Sequence, residues 1–173
     1  MDARSIHRIP THMLSNDDSG LRIRLAAADD DAFILDLVAR FVEFELPPWR
    51  KRGECAKGIR ADVERHLAEQ PAGTHIFVAE DERGQRVGFL HLQTATDYFT
   101  SAQNCHVSDL AVAPGCDGRG IGRALLAFAE AWARQHHCRH MTLAVFPGNQ
   151  RARTLYERNG YGIDVLRMAK PLK

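Results

Sequence analysis

The nine residues from Pro114 to Gly122, Pro-Gly-Cys-Asp-Gly-Arg-Gly-Ile-Gly, carry the clearest chemical signal in the 173-residue chain. Glycine accepts positive φ and lets a ligand come close to the backbone. An apolar stripe at helical spacing, Ile121, Leu125, Phe128 and Trp132, starts where the glycines end, so the run opens a helix. The first turn of a helix offers unpaired N–H groups at the positive end of its dipole. A phosphate or diphosphate fits such a cradle. Arg119, Arg123, Arg151 and Arg153 could add positive charge nearby. The run is no P-loop, because G-x-x-x-x-G-K-[ST] is absent, and Arg123 breaks G-x-G-x-x-G. Taken alone, the glycines also suit a tight turn that only lets a helix pack on a strand.

Other reactive residue types form no pattern of their own. Cys55, Cys105, Cys116 and Cys138 lie at wide, irregular spacings without C-x-x-C, as expected of reduced thiols in a cytosolic protein. His136, His137 and His140 cluster without a matching Cys or carboxylate pattern, so no metal site is expected.

The glycine run needs a strand before it and a helix after it, and the chain supplies both. Leu21, Ile23 and Leu25 alternate with arginines as a half-exposed strand. Asp29 to Asp31 then place carboxylates at a helix start, and Phe33, Ile34, Leu37, Val38 and Phe41 form its stripe until Pro47 and Pro48 stop it. A second helix is predicted over 54–69, with Ile59, Val63 and Leu67 inward. A hairpin follows, with strands over 75–80 and 87–96. A strand over 104–112 leads into the glycine run. Beyond its helix come an apolar strand over 141–146, a short helix over 150–158 and a weaker strand over 161–169. Residues 1–20 are polar and aperiodic and read as an arm, leaving 21–173 as one mixed α/β domain.

Composition closes off other classes. Lys plus Arg is 23 and Asp plus Glu is 22, a net charge of +1 that calls for neither nucleic acid nor an anionic membrane surface. The longest apolar run, Ala124 to Ala129, falls far short of the roughly 20 residues that span a bilayer. The first 20 residues lack the apolar centre of a secretion signal, and a cytoplasmic location is expected.

Several segments together resemble the GCN5-related N-acetyltransferase (GNAT) superfamily. The acyl-CoA signature of that superfamily, Q/R-x-x-G-x-G/A after a strand ending L-x-V, matches Leu110-Ala111-Val112 followed by Gly118-Arg119-Gly120-Ile121-Gly122. Leu143-Ala-Val-Phe, Asn149, Ala152, Leu155-Tyr156-Glu157-Arg158 and Gly160-Tyr161 match the next strand and helix. The resemblance follows element order over about 21–169 and is specific over about 105–161. It implies a mixed, mostly antiparallel sheet with a splayed central pair of parallel strands, flanked by helices. One position departs from the signature: Asp117 stands where it has Gln or Arg. Near a diphosphate that carboxylate either weakens binding or turns away and holds the loop through backbone N–H groups, and the second is expected.

The resemblance further implies direct attack of an amine on the thioester of acetyl-CoA. Leu110, Ala111 and Val112 would pair with the pantetheine through main chain and supply an oxyanion donor. Asp117, Gly118, Arg119, Gly120, Ile121, Gly122 and Arg123 would hold the diphosphate, with Asn149, Arg153 and Tyr156 beside the cofactor. Tyr156 matches the family's acid for the leaving thiolate. His106 lies four residues before Leu110, where some members carry a catalytic Glu or His, and is the expected base. Asp109 is the other candidate, although strand alternation turns it from His106 unless a bulge intervenes. His91 is a weaker third, and Cys105 and Cys116 are bystanders.

The acceptor should be chosen by the first helices. Phe41-Val-Glu43-Phe-Glu45-Leu-Pro-Pro-Trp49 is aromatic, then acidic, then stiff. It is similar to the acceptor segment of polyamine-type members. Phe44, Glu45 and Trp49 are the expected contacts to a small primary amine; the bland alternative is a solvated helix end. A non-catalytic acyl-CoA-binding sensor is the alternative function. A homodimer is expected by analogy within the superfamily.

Overall fold

The computed structural model describes residues 20–172. The arm expected over 1–20 therefore lies, apart from Gly20, outside the described residues. The sheet has five strands, β1 (Arg22–Leu25), β2 (Thr74–Glu80), β3 (Arg86–Thr96), β4 (Gln103–Val112) and β5 (His140–Leu143), in that spatial order. Every neighbouring pair is antiparallel except β4–β5. The helices are α1 (Asp31–Asp36), α2 (Arg52–Glu69), α3 (Ile121–Gln135) and α4 (Gln150–Arg158). Among the described residues no helix is long and apolar enough to cross a membrane.

Strand alternation divides the core in two. Leu90, Leu92, Cys105 and Val107 pack under Ile121, Leu125, Phe128 and Trp132 of α3. Phe89, Val78 and Ala111 point to the other face, against Ile34, Leu37, Val38 and Val63. The stripes expected for α2 and α3 are the ones that meet the sheet.

Two departures in β4 shape everything around the cleft. Register runs His91↔Asp109 and then Leu92↔Val107, so Ser108 is an extra residue on β4. Such a bulge resets the alternation of side chains. The parallel pairing with β5 also stops there, at Val107↔Leu143. Beyond that point β4 continues to Val112 while the chain after Leu143 peels away. This is the splayed parallel pair the resemblance implies, and it is why β5 ends at Leu143 rather than at the expected Phe146.

Two other expectations change. The first helix is broken: α1 stops at Asp36 and residues Leu37–Val42 form a 3₁₀ turn. The stripe survives, because Ile34, Leu37 and Val38 are buried. Residues 161–172 form no strand, and Ile163, Val165, Leu166 and Met168 are exposed. Their alternation is a local signal only, and a strand exists only with a ladder partner.

Asp30 does more than favour a helix start. It is fully buried and accepts from Arg24 Nη1 at 2.6 Å, Arg86 Nε at 2.5 Å and Ala27 N at 2.7 Å. Burial would raise its pKa, but the bonds from Arg24, Ala27 and Arg86 prevail and lower it from 3.8 to about 2. A carboxylate held below its unfolded pKa stabilises the fold above that unfolded value. The contribution, about 2 kcal/mol, is therefore complete above about pH 4 and lost as pH falls toward 2. Asp30→Asn, which leaves Arg24 only Glu80 and Arg86 only the exposed Asp29 as charge partners, is expected to cost about 3 kcal/mol and to lower the melting temperature by about 6–12 °C in calorimetry at pH 7.

Candidate active site

The gap between β4 and the chain after β5 is a cleft of about 800 Å³. β4 forms one wall from Val107 to Val112, the glycine run and the first turn of α3 form its head, and Ala144–Phe146 with α4 form the opposite wall. Phe44 also lines the cleft, its ring 5.7 Å from that of Phe146.

The β4 wall offers main-chain groups. The Ala113 N–H donates to Val87 O at 2.8 Å, which makes 87 and 113 a hydrogen-bonded pair of the antiparallel ladder. Bonded and non-bonded pairs alternate, so Leu110 and Val112 turn their N–H and C=O groups away from β3, into the gap. The expected backbone contacts at Leu110 and Val112 therefore have their groups available.

At the head of the cleft, Gly118 and Gly120 have φ of 75° and 81°, and a Cβ on either would meet nothing within 4 Å. The conformation needs glycine while the space before it is open. Gly120 is the N-cap of α3 and makes no side-chain cap bond. Ala124 N–H makes the first helical bond, to Gly120 O at 3.0 Å. The N–H groups of Ile121, Gly122 and Arg123 thus have no acceptor among the described residues, and they lie where the dipole favours an anion. Gly122 serves another end, because a Cβ there would sit 3.2 Å from Leu155 of α4. These features fit the diphosphate of an acyl-CoA better than they fit a packing turn.

Asp117 does not hold the loop through backbone N–H groups, as expected from its type. It accepts from Arg40 Nη2 at 2.9 and 3.0 Å and from Arg151 Nη2 at 2.6 Å. The Arg151 bond, with Arg40 adding to it, lowers the Asp117 pKa. Glu43 also pairs with Arg40, at 3.5 Å, so two guanidinium groups and two carboxylates balance beside the loop. Arg40 is 77 residues away in sequence, and nothing local announces it.

Tyr156 lines the cleft on α4. Burial first, and then the charge of Asp109, raise its pKa above the ordinary 10, so it is protonated at neutral pH. Asn149 also lines the cleft and caps α4, accepting from Ala152 N at 3.1 Å. His106 is not part of the cleft lining. Its Nδ1 lies 2.8 Å from Thr142 Oγ1 across β4–β5, and burial lowers its pKa against the opposing charge of Asp109. The bulge at Ser108 turns Asp109 to the same face as His106, and Asp109, lying past the end of the β4–β5 ladder, lines the cleft, bonded to His91 Nδ1 at 2.8 Å. No sequence feature marks that bulge.

The remaining expected contacts spread outward. Arg119 reaches Cys116 Sγ at 3.5 Å, and Arg153 pairs with Glu157 at 3.5 Å, both off the cleft lining. Glu45 and Trp49 also lie off it, Trp49 half exposed. The Glu45 main chain instead packs on Gly148, where any Cβ would strike its carbonyl. Cys105 is buried and its thiol is pushed up to about 12, which keeps it unreactive. No cluster of three or more His, Cys, Asp or Glu among the described residues is placed to hold a metal.

Known proteins resemble this chain in both sequence and fold. An uncharacterized N-acetyltransferase, YhfO, of Bacillus subtilis is 28% identical over 144 residues, covering 83% of this chain and 91% of that one. The streptothricin acetyltransferase of Streptomyces lavendulae is 34% identical over 101 residues, 58% of this chain and 51% of its own. The aminoglycoside N(6')-acetyltransferase type 1 of Stenotrophomonas maltophilia is 36% identical over 83 residues, 46% of this chain and 53% of its own. The chain thus matches about half the length of these last two. In fold, a ribosomal-protein-alanine N-acetyltransferase of Brucella melitensis superposes with a TM-score of 0.66 at 20% identity, over 88% of this chain and 99% of that one. Residues 38–161 match the family described as acetyltransferase (GNAT) family, and the chain belongs to it.

Proposed function

We propose that the protein acetylates a primary amine of a small molecule, taking the acetyl group from acetyl-CoA by direct transfer. Family members generally use acetyl-CoA as the acetyl donor. The observation that carries the reading is the glycine-bracketed start of α3, whose free N–H groups open onto the gap between β4 and β5. A small amine is favoured because two relatives are named for small-molecule acceptors, streptothricin and an aminoglycoside.

Bound there, acetyl-CoA supplies an activated acyl carbon. The N–H groups from Gly118 to Arg123 hold its diphosphate, and Leu110 and Val112 pair with its pantetheine arm like an added strand. The Leu110 N–H is placed to donate to a carbonyl oxygen as charge builds on it. Tyr156, neutral in its buried setting, gives a proton to the departing sulfur. Phe44 packs against the carbon chain of the acceptor.

The ion pairs of Asp117 bring Arg40 and Arg151 to the place where the signature has Gln or Arg. Arg151→Ala removes the nearer partner of Asp117 and takes one positive charge from beside the loop. The dissociation constant for coenzyme A, measured by calorimetric titration, is expected to rise about fivefold, with a weaker dependence on salt.

Release of free thiol from acetyl-CoA across a panel of putrescine, spermidine, streptothricin and an aminoglycoside tests the reading. Turnover with at least one amine supports it. Tight acetyl-CoA binding with no turnover on any amine points to a sensor module instead.

A further inference from the structure

A buried polar cluster behind the β4 wall has no part in the chemistry above. His91 on β3 is wholly buried, with Nδ1 2.8 Å from Asp109 Oδ2. Asp109 keeps 11% of its side chain exposed and lines the cleft. Behind them, Gln93 Nε2 lies 2.8 Å from His66 Nε2 and 3.4 Å from His91 Nε2. His66, buried on α2, has Nδ1 2.9 Å from the Asp62 carbonyl oxygen.

With the Gln93 amide nitrogen facing both imidazoles, donors and acceptors pair along the whole chain. A carbonyl only accepts, so His66 carries its proton on Nδ1 and presents a lone pair at Nε2. The Gln93 amide donates to that lone pair and, at longer range, to His91 Nε2. His91 is then protonated on Nδ1 and donates to Asp109. The chain of donors ends on a carboxylate that faces the cleft and that no Arg or Lys pairs with among the described residues. The other titratable groups around it are Tyr156 on α4 and His106 on β4 itself, both within range of its charge.

We infer that Asp109 takes the proton that the acceptor ammonium must lose, and that His91, held in one tautomer by Gln93 and His66, positions it. This rests on the N-acetyltransferase reading. The ammonium gives one proton to Asp109 and becomes the nucleophile. The C–N bond forms and the C–S bond breaks. Tyr156 gives its proton to the sulfur and recovers the surplus one from the nitrogen. Asp109 then releases its proton to water in the cleft. His91 is a positioning residue and keeps its own proton throughout.

The test uses the full chain, acetyl-CoA and whichever panel amine turns over fastest. Asp109→Asn is expected to lower kcat about 100-fold or more at neutral pH, the usual worth of a general base. KM for the amine should change less than threefold, and coenzyme A affinity less than twofold. His91→Asn, whose amide nitrogen takes the place of Nδ1, should stay within tenfold of the parent. His91→Gln and His91→Leu should fall with Asp109→Asn. In the ligand-free protein, nitrogen NMR should find His91 protonated on Nδ1, the nitrogen that faces Asp109. The inference is overturned by an Asp109→Asn enzyme within threefold of the parent, by equal losses for His91→Asn and His91→Leu, or by a proton on His91 Nε2. A parent protein that binds acetyl-CoA but turns over no amine overturns the transferase reading, and this assignment with it.

Discussion

Gly120→Val is expected to raise the dissociation constant for coenzyme A at least 100-fold, measured by calorimetric titration, while the protein still unfolds cooperatively near the parent temperature. Residue 120 sits at φ 81°, in the left-handed region that a β-branched side chain strongly disfavours. Relief of that strain rotates the peptide planes that aim the α3 amides into the cleft. A hydrogen bond to a charged group is worth about 1.5–3 kcal/mol, and losing two of them gives a change of that size. Nothing lies within 4 Å of the new Cβ, so the fold has no clash to absorb. Binding retained within threefold contradicts the assigned role of the loop.

Tyr156→Phe is expected to lower kcat about 100-fold with coenzyme A affinity changed less than threefold, the signature of an acid used in the chemical step. The phenyl ring keeps the packing against Tyr161, whose ring lies 5.8 Å away. Because burial and Asp109 raise the phenol's pKa above 10, the parent's kcat should not fall on the alkaline side until pH passes that value. Stopped-flow detection of thiol across pH 6–10.5 reads both effects. A full-rate Tyr156→Phe enzyme removes the acid.

The glycine loop, α3 and α4 were legible because their signals are local. Glycine spacing marks the cap at Gly120, the stripe from Ile121 to Trp132 marks a buried helix face, and Asn149 falls where a helix needs a cap. Opposite-face packing of Phe89 and Leu90 follows from alternation alone. What stayed hidden depends on residues far apart in the chain. The bulge at Ser108 exists only in register with β3, yet it turns Asp109 to the face of His106, and the end of the β4–β5 ladder at Val107 leaves Asp109 alone of the two in the cleft. The Arg40–Asp117 bond closes over a separation of 77 residues, so local turn chemistry pointed Asp117 to backbone N–H groups while its partners are two distant arginines. Residues 161–169 show the opposite failure, in which local alternation promised a strand and no ladder partner was supplied. The 3₁₀ turn after Asp36 is a third case: the apolar spacing was right while the winding was not.

The central claim is that the N–H groups between Gly118 and Arg123 grip the diphosphate of acetyl-CoA. A crystal structure of the acetyl-CoA complex tests it most directly. The account predicts diphosphate oxygens within about 3 Å of those amide nitrogens, with the pantetheine running between β4 and β5 alongside Leu110 and Val112. A cofactor whose diphosphate lies elsewhere on the protein, with the start of α3 facing only water, would contradict it.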